Sequence, residues 1–151
     1  MSKIQVKILD SMVDLPEKAT IGSAGFDLLA AVQEEVVLQP GESKLIPTGL
    51  AIYIKDKRTV AFILPRSKRG HKDGLVVGNL TGVIDSDYQG QWYVSAWNRN
   101  SNKTVTIRPY EAIAQVCFMQ LANVSFEETL EFDEETERLD GGISKDVDTR
   151  T

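Results

Sequence analysis

Turn signals recur about every eight to twelve residues along most of this chain, and short β-type runs fill the gaps between them, the pattern of a sandwich or barrel of short strands. The breaks fall at Pro40-Gly41, Pro47-Thr48-Gly49, Asp73-Gly74 and Asn100-Ser101-Asn102. The runs between them predict strands at Ile4–Leu9, Phe26–Ala31, Glu35–Leu38, Ser43–Ile46, Leu50–Ile54, Thr59–Leu64 and Leu75–Val77. Further strands are predicted at Gln91–Trp97, Thr104–Ile107, Ala112–Leu121 and Val124–Phe126. Val105 and Ile107 alternate with Thr104 and Thr106, so one face of that strand is expected to be buried. Helical signal is scarce, with a single turn expected near Asp56-Lys57-Arg58. The class is all-β.

The 151 residues suffice for one domain with a real core. No apolar run approaches the length that crosses a bilayer, and Met1–Val6 lacks the apolar core of a signal peptide. A single cysteine, Cys117, rules out an internal disulfide, fits a reducing cytoplasm and is expected in the core. The net charge of −5 disfavours non-specific nucleic-acid binding. Eight acids between Glu127 and Asp140 carry more than that excess, so the rest of the chain is mildly basic and suited to an anionic small molecule. From about Phe132 the composition turns acidic, then Gly-rich and polar, too poor in apolar surface to order itself. Residues 1–131 are therefore read as the domain and 132–151 as a flexible arm.

The most informative segment for chemistry is Gly82-Val83-Ile84-Asp85-Ser86-Asp87-Tyr88-Gln89-Gly90. Asp85 ends an apolar run, where a carboxylate serves either as a turn cap or as an acceptor of a proton from water. Exposed backbone groups of a hairpin there can read the edge of a planar base, and Asn79 adds an amide that donates and accepts. Pro65-Arg66-Ser67-Lys68 follows a predicted strand end and reads as an anion site or as a basic surface loop. Gln115, within Ile113–Phe118, is costly to bury without a polar partner. Alternation places it on one face with Ile113 and Cys117, at a cleft rim or a strand edge. Arg138-Leu139-Asp140-Gly141-Gly142 reads as a phosphate-cradling loop or a plain tail, and lacks the Walker spacing. The lone His71 is assigned no metal. Trp92, Tyr93 and Trp97 are expected to be core and interface aromatics.

Together these segments resemble the trimeric deoxyuridine triphosphatase (dUTPase) family from about Ile4 to Gly142. Ala24–Leu28 resembles the first family motif and Pro65-Arg66-Ser67 the second. Gly78-Asn79 with Gly82–Gly90 resembles the third, Ile113-Ala114-Gln115 the fourth, and the double glycine Gly141-Gly142 the fifth. The resemblance implies a β jelly roll, a homotrimer with three shared sites, and hydrolysis of dUTP to dUMP and pyrophosphate with Mg²⁺ on the triphosphate. It implies that Asp85 deprotonates the attacking water. Ser67 and Gln115 would hold phosphate oxygens, with Arg66 and Lys68 nearby. Asn79 and the backbone of Gly82, Val83 and Ile84 would read uracil, with no room for a thymine methyl. Tyr88 would lie under the deoxyribose. Arg138, Gly141 and Gly142 would close over the phosphates, and Asp27 would be structural. No metal-ligating side chains are implied, and no nucleic-acid or membrane partner.

Three departures from the family pattern matter. Pro109-Tyr110-Glu111-Ala112 stands where the family has Pro-Gly and an arginine two positions on. Ile143-Ser144 follows the double glycine in place of an aromatic and a glycine. Lys68-Arg69 replaces residues that are often small or apolar, and either cation could restore the charge lost at Ala112. Two rival functions follow. One is a homologue that binds nucleotide or a protein partner with impaired catalysis. The other is the related dCTP deaminase, ranked lower because Ser95 stands near the place of its glutamate.

Overall fold

A computed structural model describes residues 3–134 and Thr136. The fold is all-β and has ten strands among the described residues: β1 Gln5–Ile8, β2 Phe26–Leu29, β3 Val36–Leu38, β4 Ser43–Tyr53, β5 Thr59–Pro65, β6 Leu75–Val77, β7 Gly82–Ile84, β8 Gln91–Asn98, β9 Val105–Ile107 and β10 Ala112–Gln120. One sheet has the order β1-β4-β8-β6, a second the order β2-β10-β5-β7, and β3 pairs with β9. All pairings are antiparallel.

The two large sheets share one core. Leu50, Ile52, Trp92 and Val94 from the first meet Leu28, Ile63, Ala114 and Val116 from the second. Burying each large aliphatic is worth about 1.5–3 kcal/mol. Strand β8 shows the expected period of two: Trp92, Val94, Ala96 and Asn98 point inward, and Gln91, Tyr93, Ser95 and Trp97 do not. Asn98 tolerates full burial because its amide nitrogen reaches the carbonyls of Leu38, Gln39 and Lys103, and its oxygen accepts from Asn100.

Several sequence expectations need correction. Ser43–Ile46 and Leu50–Ile54 form one long strand, because Pro47-Thr48-Gly49 makes a bulge and not a turn. Gly49 sits at φ +71, and a Cβ there would come within 3.0 Å of Asp10 and Ala31. The buried Thr48 hydroxyl donates to Trp92 O at 2.9 Å, so the bulge leaves no orphan there. Residues 124–126 are not a strand, and Phe126 is fully exposed. A single turn does form at Asp56–Arg58, closed by Thr59 N–H donating to Asp56 O at 2.9 Å, and a further helical turn not expected from the sequence lies at Arg69–Asp73, ended by Gly74 at φ +76. Cys117 is half-buried and not a core residue. Ile113 does not share the face of Gln115: a register shift between Ala112 and Ala114 turns it into the core.

Candidate functional site

The third-motif segment is not the expected hairpin: a tight turn carries the chain from β6, at the edge of one sheet, to β7, at the edge of the other. β7 pairs with β5 through Ile84↔Ala61, Val83↔Phe62 and Gly82↔Ile63. It is the last strand of its sheet, so its outer edge offers backbone groups unpaired within the sheet. The turn between β6 and β7 is tight, with Leu80 N–H donating to Val77 O at 2.9 Å and Leu80 held at φ 62. Asn79 is exposed at its tip.

Asp85 follows β7 directly and is exposed. Its carboxylate makes no hydrogen bond or ion pair among the described residues. Its backbone is held firmly, since Tyr88 N–H donates to Asp85 O at 3.2 Å and Lys55 N–H donates to Ser86 O at 2.9 Å. Lys57, Thr59, Asp85 and Asp87 line one small cleft here. The Tyr88 hydroxyl donates to Gln91 O at 3.0 Å, which fixes its half-exposed ring at the end of the turn.

The second cluster forms where β2, β10 and β5 lie side by side. Register places Gln115 opposite Asp27 on one neighbour and Leu64 on the other. The Gln115 amide donates to Pro65 O at 2.9 Å, which supplies the polar partner its burial requires. Gly25 packs against that amide so closely that a Cβ would stand 2.5 Å from Gln115 Oε1. The Arg66 guanidinium grips Asp27 with two bonds, Nε–Oδ1 at 2.8 Å and Nη2–Oδ2 at 3.0 Å. Asp27 thus anchors Arg66 from β2. Together Gly25, Asp27, Arg66, Ser67, Lys68 and Gln115 line a cleft of about 350 Å³. Spacing alone did not reveal the Asp27–Arg66 pair or the Gly25 contact, although Ala24–Leu28 had been singled out.

Arg69 does not serve this cleft. Its guanidinium binds Asp73 at 2.9 Å, Glu111 at 2.7 Å and Thr106 O at 3.0 Å, and the side chain is only 19% exposed. The idea that it replaces charge lost at Ala112 is therefore set aside: two carboxylates already neutralise it.

One chain does not bring the two clusters together. Asp85 lies beside the start of β5, near Val60, whereas Arg66 and Ser67 follow its end at Pro65. Five or six residues of extended strand separate them, roughly 17–20 Å. Arg138, Gly141 and Gly142 lie outside the described residues. Among the described residues no group of three His, Cys, Asp or Glu side chains could hold a metal ion, and no helix is long and apolar enough to cross a membrane.

Residues 11–146 match the dUTPase family. The deoxyuridine 5'-triphosphate nucleotidohydrolase of Tolumonas auensis is 56% identical over 147 residues, spanning 95% of this chain and 96% of that protein. The protein of the same name from Haemophilus influenzae is 52% identical over the same length. Among solved structures, the dUTPase of Staphylococcus bacteriophage 80alpha with dUpNHpp superposes with a TM-score of 0.83 at 26% identity, covering 95% of this chain and 98% of that one.

Proposed function

This chain belongs to the dUTPase family and hydrolyses dUTP, and we propose that it does so through water activated by Asp85 at a site completed by other copies of the chain. The Asp85 carboxylate takes a proton from water, the oxygen attacks the α-phosphorus, and the bond from that phosphorus to the β-bridging oxygen breaks. The products are dUMP and pyrophosphate. General-base assistance of this kind contributes about 10²–10⁴-fold. The observation that carries the reading is an exposed carboxylate, free of internal partners among the described residues, on a rigid turn beside an unpaired strand edge.

The remaining residues follow from the chemistry each can offer. The open edge of Gly82, Val83 and Ile84, with Asn79, suits the polar edge of uracil. Tyr88 presents a ring face to the sugar. Ser67 and Gln115, on the other cluster, offer a hydroxyl and an amide to phosphate oxygens, while Arg66 is held by Asp27 and shapes the loop. Arg138, Gly141 and Gly142 would close over the phosphates.

The two clusters sit at opposite ends of β5, whereas a base serving the α-phosphorus and the groups holding the adjoining phosphates must lie close together, so one chain does not complete a site. A closed homotrimer, each site formed between copies, answers that distance. Mg²⁺ would be carried into the site on the triphosphate, since this ion is commonly held by phosphate oxygens and water. When bound it would neutralise charge on the triphosphate as the α-phosphorus is attacked. The half-buried single thiol suits a cytoplasmic setting.

Pyrophosphate release from dUTP with Mg²⁺, compared with ammonia release from dCTP, tests the reading. Release of pyrophosphate alone is expected. Ammonia from dCTP, or nucleotide binding with no product, would favour the deaminase or the binding-only homologue. Against deamination, Ser95 carries no acid and lies against Gly78, whose added Cβ would meet Ser95 Oγ at 2.8 Å.

A further inference from the structure

We propose that Lys68 is, among the described residues, the single uncompensated cation of the cleft formed by β2, β10 and the loop after β5, and that it sets affinity for the triphosphate and preference for dUTP over dUMP. The inference rests on the dUTP-hydrolysing reading above and names the group that selects the length of the phosphate chain.

Three cations follow β5 within four positions, Arg66, Lys68 and Arg69. Two of them are already spent inside the protein. The charge of Arg66 is cancelled by a two-bonded carboxylate on β2, and its third nitrogen, Nη1, reaches Ala112 O at 3.5 Å. Arg69 lies between Asp73 and Glu111, and turning it toward a ligand would break two ion pairs and a bond to Thr106 O. Lys68 is exposed, lines the cleft, and makes no hydrogen bond or ion pair among the described residues. Of the described side chains lining the cleft, Arg66 and Asp27 sum to zero, so the charge these residues present is that of Lys68.

A triphosphate carries several negative charges, and a monophosphate at most two. A lysine is a compact point charge on a flexible four-carbon stem, able to follow the β- and γ-phosphates without a fixed fork geometry. Its attraction therefore rises with chain length, while dUMP, held mainly through base, sugar and one phosphate, gains little. The ammonium is solvent-facing, so the effect is also screened by salt.

The test compares wild type, Lys68→Ala, Lys68→Arg and Arg69→Ala by calorimetric titration with dUpNHpp and, separately, with dUMP. For Lys68→Ala the dUpNHpp Kd is expected to rise about 10- to 100-fold, the range of one charged hydrogen bond. The dUMP Kd should shift by less than about threefold, and the salt dependence of dUpNHpp binding should flatten. Lys68→Arg, which keeps the charge, should recover most of the affinity. Arg69→Ala should lower the thermal midpoint and leave the dUpNHpp Kd of the folded protein near wild type. An unchanged dUpNHpp Kd in Lys68→Ala, or equal losses for dUpNHpp and dUMP, would overturn the role of Lys68. Pyrophosphate release by wild type is read apart from these titrations: its absence would sink dUTP hydrolysis, while the Kd comparison would still decide the role of Lys68.

Discussion

Asp85 and Gln115 show how differently two polar side chains can be prepared. Among the described residues the Asp85 carboxylate has no partner and its turn is held through the backbone, which suits a group that must exchange a proton with water. Asp85→Asn should therefore lower turnover about 10²–10⁴-fold, with dUpNHpp binding retained in calorimetry. Gln115 is instead fixed by Pro65 O and by the bare face of Gly25. Gly25→Ala should displace the Gln115 amide, break that bond and raise the KM for dUTP. A crystal structure of the variant with Gln115 unmoved and an unaltered KM would contradict this. Both residues had been picked out in the sequence, because an acid after an apolar run and an amide inside one are each anomalous locally. What the sequence withheld was partnership: Asp27 and Arg66 are 39 positions apart and meet only because β2 and β5 flank β10.

At the scale of elements, the strands were legible wherever alternation was clean, as in β8 and β9, and misread where a bulge carries turn-type residues. Pro47-Thr48-Gly49 has the composition of a turn, and only the pairing of both halves of β4 with β8 reveals a single strand. The β9–β10 turn holds another device hidden from local reading. Tyr110 adopts φ 57, a conformation unusual for a side-chain-bearing residue, and its hydroxyl contacts Gln33 at 2.6 Å and Asp10 at 3.2 Å. That clasp joins three loops. Tyr110→Phe should cost about 0.5–1.5 kcal/mol in denaturant unfolding, and an unchanged midpoint would show the clasp to be idle. Two surface turns carry a pH signature. Glu42 is held below the usual carboxylate range by the Gln39 N–H and by Lys44, and Asp56 chiefly by the Arg58 N–H. A carboxyl with a lowered folded pKa adds stability above its unfolded pKa and loses it as pH falls through the folded value. Asp56→Asn should therefore flatten the decline of the thermal midpoint as pH falls through and below the unfolded Asp pKa of about 3.9.

At the scale of the whole molecule, the central claim is that one dUTP is served by two chains. Charge and turn spacing point to a β-sandwich or barrel that binds an anion, but no local pattern states that Asp85 and Ser67 lie at opposite ends of one strand. That separation follows from the register of β7 on β5. The most direct measurement mixes Asp85→Asn with a Ser67→Ala/Gln115→Ala variant under conditions of subunit exchange and follows pyrophosphate release from dUTP. Each parent should be nearly inactive. The mixture should regain about a quarter of the wild-type rate, the chance that an interface in a randomly mixed closed oligomer carries both intact halves. A mixture that exchanges subunits yet stays as inactive as its parents would contradict the account.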